Sequence, residues 1–100
     1  MLTPQHVMKI TKALADPTRF RMLQAIAHAH ERCCGELARD FPITQATVSQ
    51  HLKVLTDAGL LEPRRAGQFN YYRMQRDVFD AYQRTLAAAL AGVPALRSED

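Results

Sequence analysis

The sequence predicts a mainly α fold carrying one small β-hairpin, about five helices and a two-stranded wing. Three observations lead there. Apolar residues recur at spacings of three and four through most of the chain, as in helices that bury one face. One segment, residues 60–74, instead has two extended runs rich in arginine and tyrosine around Ala66-Gly67, which reads as a hairpin. The length of 100 residues, with 47% hydrophobic content, suits one folded domain with a modest core rather than two.

The first helix is expected over about 4–15, with Val7, Ile10 and Leu14 on one face. Asp16-Pro17 then offers an N-cap followed by proline at the first helical position, a favoured start. The second helix carries Phe20, Leu23, Ile26 and Ala27 inward and runs out through His28-Ala29-His30-Glu31-Arg32. A short third helix begins near Cys34 or Gly35, holds Leu37 and Phe41 at i, i+4, and is ended by Pro42. So few residues separate it from Thr44 that the next helix must cross steeply, which makes residues 34–58 a helix-turn-helix.

That next helix organises the rest. Thr44 can cap it, Ile43 can pack on Val48 as a hydrophobic staple, and Gly59 stands where a left-handed C-cap favours glycine. Val48, Leu52 and Leu55 form a narrow apolar stripe. The opposite face holds Gln45, Ala46, Ser49, Gln50 and Lys53, with no carboxylate before Asp57. Neutral amides and hydroxyls meet base edges in a DNA major groove, where a carboxylate would meet phosphates. An ordinary amphipathic surface helix is the plainer reading of this stretch alone.

In the hairpin, Pro63 marks the first strand as an edge. Tyr72 and Met74 are expected on the core face, with Phe69, Tyr71 and Arg73 opposite. The last helix is expected over about 77–91, with Phe79, Tyr82, Leu86, Ala89 and Leu90 in one stripe; Gly92 and Pro94 end it, and the final residues fray.

Net charge is +3, a mild excess whose placement says more than its size. Arg64, Arg65, Arg73 and Arg76 follow the candidate reading helix against Glu62 alone, as phosphate contacts need. No apolar run approaches the ~20 residues that span a membrane, and the N-terminus lacks the basic and apolar regions of a signal peptide, so a cytoplasmic location is expected. Cys33 and Cys34 are the only cysteines. Adjacent α-carbons lie about 3.8 Å apart, below the roughly 4.4–6.8 Å of an ordinary disulfide, so reduced thiols are expected. Glycines at 35, 59, 67 and 92 make no phosphate loop and no catalytic grouping stands out, so the chain is not expected to be an enzyme.

A helix-turn-helix followed by a hairpin and framed by outer helices is a winged helix-turn-helix. Ala13-Leu14-Ala15-Asp16-Pro17-Thr18-Arg19-Phe20-Arg21-Met22-Leu23, Glu36-Leu37-Ala38, Ala46-Thr47-Val48-Ser49-Gln50-His51-Leu52-Lys53-Val54-Leu55, Ala58-Gly59-Leu60-Leu61 and Tyr71-Tyr72-Arg73 together resemble the ArsR/SmtB family of bacterial repressors, over roughly residues 7–90. The resemblance implies a homodimer that binds double-stranded operator DNA through the fourth helix and wing, and releases it when an inducer binds, often a metal ion or an oxidant.

On this reading Gln45, Ser49 and Gln50 reach base edges, Thr47 and His51 touch phosphate, and Thr44 and Lys53 complete the helix's contacts. Arg64, Arg65 and Gln68 near the hairpin tip meet phosphate or the adjacent minor groove. One helix reads about half a turn of DNA, so useful specificity needs two half-sites at fixed spacing. Val7, Ile10, Phe79, Tyr82, Leu86 and Leu90, on the first and last helices, are the expected two-fold interface. A winged helix used for protein–protein contact is the alternative, and Arg64 with Arg65 argues against it.

The inducer is open. The family's metal sites transfer poorly: Gly35 stands where a Cys-x-Cys pair needs its second thiol, and the last helix offers Asp77 and Asp80 but no histidine. His28, His30, Cys33 and Cys34 are local metal-ligand types, though the histidines lie two apart on an expected helix. Cys34 at a helix N-terminus is a candidate reactive thiol. Modification of Cys33 or Cys34 would act from the far end of the third helix, the brace of the reading helix; thiols that merely pack are the other reading.

Overall fold

The computed structural model describes residues 1–92. Its elements run α1 (Pro4–Leu14), α2 (Pro17–Ala27), β1 (Arg32–Cys33), α3 (Cys34–Asp40), α4 (Gln45–Asp57), β2 (Leu61–Ala66), β3 (Phe69–Met74) and α5 (Arg76–Leu90). The boundaries follow local chemistry. Thr3 Oγ1 accepts from His6 N at 3.1 Å to start α1. Asp16 accepts from Arg19 N at 2.9 Å to start α2, with Pro17 in its first turn. The Arg19 side chain then donates back to Ala13 O at 2.9 Å and Lys12 O at 3.3 Å, satisfying carbonyls that the end of α1 leaves open.

The second helix departs from its sequence pattern in both length and phase. α2 stops at Ala27 instead of running through Arg32. Arg32 and Cys33 leave the helix to pair antiparallel with Tyr72 and Tyr71, because β3 would otherwise present an unpaired edge. The sheet is therefore three-stranded, ordered β1-β3-β2, where the sequence predicted two strands. The inward face of α2 is also rotated: Met22, Leu23 and Ile26 are buried, while Phe20 is 46% exposed. Phe20 instead borders an apolar hollow with Leu14, Leu23, Phe79 and Tyr82.

α3 ends at Asp40, one residue before Phe41, which is extended and packs against the core from outside the helix. The hairpin follows its pattern. β2 is an edge strand, as Pro63 requires, and Tyr72 and Met74 pack against the core. Gly67, at φ 63°, takes the first place of a two-residue turn closed by the Ala66–Phe69 pair. The core joins Val7, Ile10 and Ala13 of α1 to Met22, Leu23 and Ile26 of α2, Leu37 of α3, and Val48, Leu52 and Leu55 of α4. α5 is fastened on by buried Tyr82, whose hydroxyl lies 2.9 Å from Thr11 Oγ1. Gly92 follows the end of α5; Pro94 and the residues expected to fray lie outside the described residues.

Candidate nucleic-acid interface

Helix α4 is held at both ends. Thr44 Oγ1 accepts from Thr47 N at 3.2 Å. At the C-terminus Gly59 adopts φ 85°, Leu60 N donates to Leu55 O at 3.0 Å, and Gly59 N donates to Thr56 O at 2.9 Å. That pair of bonds is the Schellman arrangement, and buried Leu55 and Leu60 give it its usual apolar contact. His6 of α1 adds a clamp, donating from Nε2 to Ala58 O at 2.7 Å.

With Val48, Leu52 and Leu55 fully buried, the phase of α4 is fixed. Gln45, Ala46, Thr47, Ser49, Gln50 and Lys53 are exposed on the other side. Some are already engaged. The Thr44 and Thr47 hydroxyls bond each other at 3.0 Å, and Lys53 pairs with Asp57 at 2.9 Å, an exposed i,i+4 pair that a phosphate can displace at little cost. His51 is half-buried with Nδ1 enclosed and no partner for it among the described residues, so a contact to DNA would come through the opposite ring edge.

The structure brings this face to the wing. Gln45 and Ser49 line a cavity of about 230 Å³ with Cys33, Cys34, Gly35, Gln68, Phe69 and Asn70. Cys34 Sγ lies 3.4 Å from Ser49 Oγ. The thiol therefore touches α4 itself, not only the far end of α3, because β1 carries α3's first residue beside the wing. Both cysteines are free and half-buried. Glu36 accepts from Cys33 N at 3.0 Å, and Arg32 pairs with Glu36 and Asp40. Among the described residues no three His, Cys, Asp or Glu side chains stand together as a metal ion would need, and His28, His30, Cys33 and Cys34 are not brought together.

The two wing arginines diverge. The register places Arg64 opposite Tyr71 on the outer face, and Arg65 opposite Asn70 on the face shared with Tyr72. Arg65 Nε donates to Gly67 O at 3.2 Å, beside the turn that carries Gln68. Arg64 donates from Nε and Nη2 to the two carboxylate oxygens of Glu31, at 2.8 and 2.6 Å, with its Cζ 5.0 Å from the Tyr71 ring centre. That paired hydrogen bond holds the Glu31 carboxyl below its ordinary pKa and raises that of Arg64. Arg73 pairs with Glu62 at 2.9 Å, and Arg76 donates to Ala27 O at the end of α2. Glu31 escapes sequence reasoning because its partner lies 33 residues away and no local pattern links them.

The expected two-fold interface needs correction. Val7, Ile10 and Tyr82 are buried in the protomer's own core, since α1 packs against α2, α4 and α5. Phe79 and Leu86 are half-buried, and Leu90 is 63% exposed. Met8, which the sequence did not single out, is 51% exposed and borders an apolar groove with Pro4, Leu86, Ala89 and Leu90.

Residues 14–64 match the model of a helix-turn-helix domain family. An arsenic resistance transcriptional regulator of Pseudomonas putida is 44% identical over 78 residues, which make up 78% of this chain but only 59% of that protein. The transcriptional repressor SdpR of Bacillus subtilis is 33% identical over 69 residues, 69% of this chain and 76% of the repressor. Among solved structures, a homodimeric winged helix-turn-helix DNA-binding domain from Mycobacterium bovis, described as a possible ArsR-family regulator, matches with a TM-score of 0.70 at 31% identity, over 85% of this chain and 79% of that one. With helix-turn-helix, wing and outer helices in the same order, the chain belongs to the ArsR/SmtB family of winged helix-turn-helix transcriptional regulators.

Proposed function

We propose that the chain is a sequence-specific repressor that binds double-stranded operator DNA as a homodimer and acts by binding, not catalysis. The outer face of α4 carries the proposal. Gln45, Ser49 and Gln50 present short hydrogen-bonding groups from a helix whose other side is locked in the core, beside a wing that offers Arg65 and Gln68. Amides can read adenine edges and hydroxyls can read either pair, while arginine on the wing takes phosphate. Thr44, Thr47, His51 and Lys53 flank the face as candidate phosphate contacts.

The dimer is proposed to form across α1 and α5 around Met8, Leu86 and Leu90, which a lone protomer leaves partly open to water. The homodimeric state of the Mycobacterium bovis domain supports a dimer, and the open apolar groove supports its placement on these helices. Among the described residues no helix is long and apolar enough to cross a membrane, and a repressor works where the DNA is, in the cytoplasm.

For the inducer, the 3.4 Å contact between Cys34 and Ser49 favours thiol chemistry, because bulk or charge added there meets the reading face directly. The test is a gel shift with the chain's own upstream DNA, repeated with zinc, arsenite, peroxide and polysulfide. Retention of that duplex over random DNA supports the repressor, and equal retention refutes sequence-specific reading. Reversible release by a thiol reagent, abolished in a Cys33→Ser/Cys34→Ser variant that still binds, supports the cysteines as sensor. Release that persists in the variant removes them from that role.

A further inference from the structure

The charge count of the wing overstates what it offers to DNA. Among the described residues Arg64 is bound by Glu31, Arg73 by Glu62, and Arg76 by the last carbonyl of α2, so only Arg65 is left without a carboxylate or helix end. We infer that Glu31 is a specificity-determining residue, whose carboxylate withholds Arg64 from phosphate and so lowers the sequence-independent part of DNA affinity. This rests on the reading of α4 and the wing as the DNA-binding surface.

Three features separate the Glu31–Arg64 pair from an incidental surface contact. Its geometry is a fork: Nε and Nη2 meet both carboxylate oxygens, the edge of guanidinium that would grip a phosphate in the same way. The Tyr71 ring lies beside the guanidinium and limits the directions in which it can swing. The Glu31 side chain is only 16% exposed against 52% for Arg64, so the acid is the fixed partner and the base the one that reaches solvent. The Glu62–Arg73 pair on the same face is open on both sides, at 47% and 48%.

A phosphate competing for Arg64 must displace a carboxylate already seated on it. A non-cognate complex can shift along the duplex until a released Arg64 meets a phosphate, whereas base contacts from α4 fix a cognate complex in register. Withholding Arg64 therefore costs the non-cognate complex more. Glu31 thus widens the gap between cognate and random sites without touching either.

The experiment measures the affinity of the intact chain for a random-sequence duplex and for its own upstream duplex as salt rises from 0.05 to 0.2 M. Glu31→Gln keeps the side chain's shape and removes its charge. It should steepen the dependence of log K on log salt by about 0.9 per protomer, making the loss of random-duplex affinity over this range about 3.5-fold larger per protomer. The ratio of upstream to random affinity should fall. Adding Arg64→Ala should erase the change, and Arg64→Ala alone should leave the random-duplex slope almost as it was, because that arginine is already withheld. Glu62→Gln adds the same net charge at an open pair and should do less.

An unchanged slope in Glu31→Gln while the wild type binds DNA would overturn the inference, as would a gain that survives Arg64→Ala or is matched by Glu62→Gln. Failure of the wild-type chain to bind either duplex would overturn the DNA-binding reading, and this inference with it.

Discussion

Gly59 is the position where the reading helix, the wing and α1 meet, and Gly59→Ala tests how tightly they are joined. At φ 85° an alanine pays the left-handed steric penalty of about 1–2 kcal/mol. Its methyl would also sit 3.2 Å from His6 Nε2 and 3.7 Å from Val78 Cγ1. The first distance is too short for comfort, so the imidazole must shift and stretch its 2.7 Å bond to Ala58 O. A weakened net hydrogen bond adds about 0.5–1.5 kcal/mol. The sum is roughly 1.5–3.5 kcal/mol, from which a domain of this size loses on the order of 6–28 °C in Tm. Thermal unfolding at fixed protomer concentration reads it, with His6→Ala as the second arm of a double-mutant cycle. In the His6→Ala background Gly59→Ala should cost only its backbone part. A neutral Gly59→Ala would refute the requirement for a positive φ. An equal cost in both backgrounds would show that His6 is not pressed by the new methyl.

Gln50→Ala should weaken binding to the upstream duplex by about 1–3 kcal/mol and change random-duplex binding little; equal losses on both would take Gln50 off the base edges. Leu90→Asp places a charge on the exposed end of the proposed interface and should yield a folded monomer by sedimentation, with specific DNA binding lost. It is a cleaner probe than Leu86→Asp, since Leu86 also packs against the protomer core. Asp16 has its pKa lowered chiefly by the hydrogen bond from Arg19 N. A depressed carboxylate stabilises the fold above its unfolded pKa and loses that contribution as pH falls through the folded one. Asp16→Asn, which keeps a cap but cannot titrate, should therefore flatten the acid limb of the stability–pH curve, and an unchanged limb would reject the cap as its source.

What the sequence revealed was local. Thr44, Asp16-Pro17 and Gly59 each act within a few residues, so helix starts and stops could be placed from them alone. Periodicity fixed the buried stripe of α4 and, by exclusion, its outer face. Two errors arose where distant partners decide. Arg32 and Cys33 read as the tail of α2 because nothing nearby announces a two-residue strand, whose only reason is the open edge of β3. Phe20 read as core because α2 was phased by its own pattern, whereas packing against α1, α4 and β3 turned Met22 inward instead. The wing's electrostatics were hidden for the same cause: adjacent arginines look alike in sequence, and the pleat sends them to opposite faces, one of them to Glu31.

The same long-range contacts suggest how a dimer would control the reading helices. α5 is tied to α1 by the Tyr82–Thr11 bond, and the N-terminal arm by Leu2 N to Thr85 Oγ1 at 3.2 Å. α1 is tied to the end of α4 by His6, through a bond to Ala58 O that is part-buried and only 2.7 Å long. In the proposed dimer, α1 and α5 form the two-fold contact, so each α4 hangs from that contact by a short, rigid path. The outer face of its N-terminal half, with Gln45 and Ser49, borders α3 and the wing. The C-terminal tether would then set the separation of the two half-sites, and the α3 contact at Cys34 would set the local approach to the bases. These are different coordinates. Loosening His6 should relax the preference for half-site spacing while leaving the preferred half-site sequence intact, and a change at Cys34 should do the reverse.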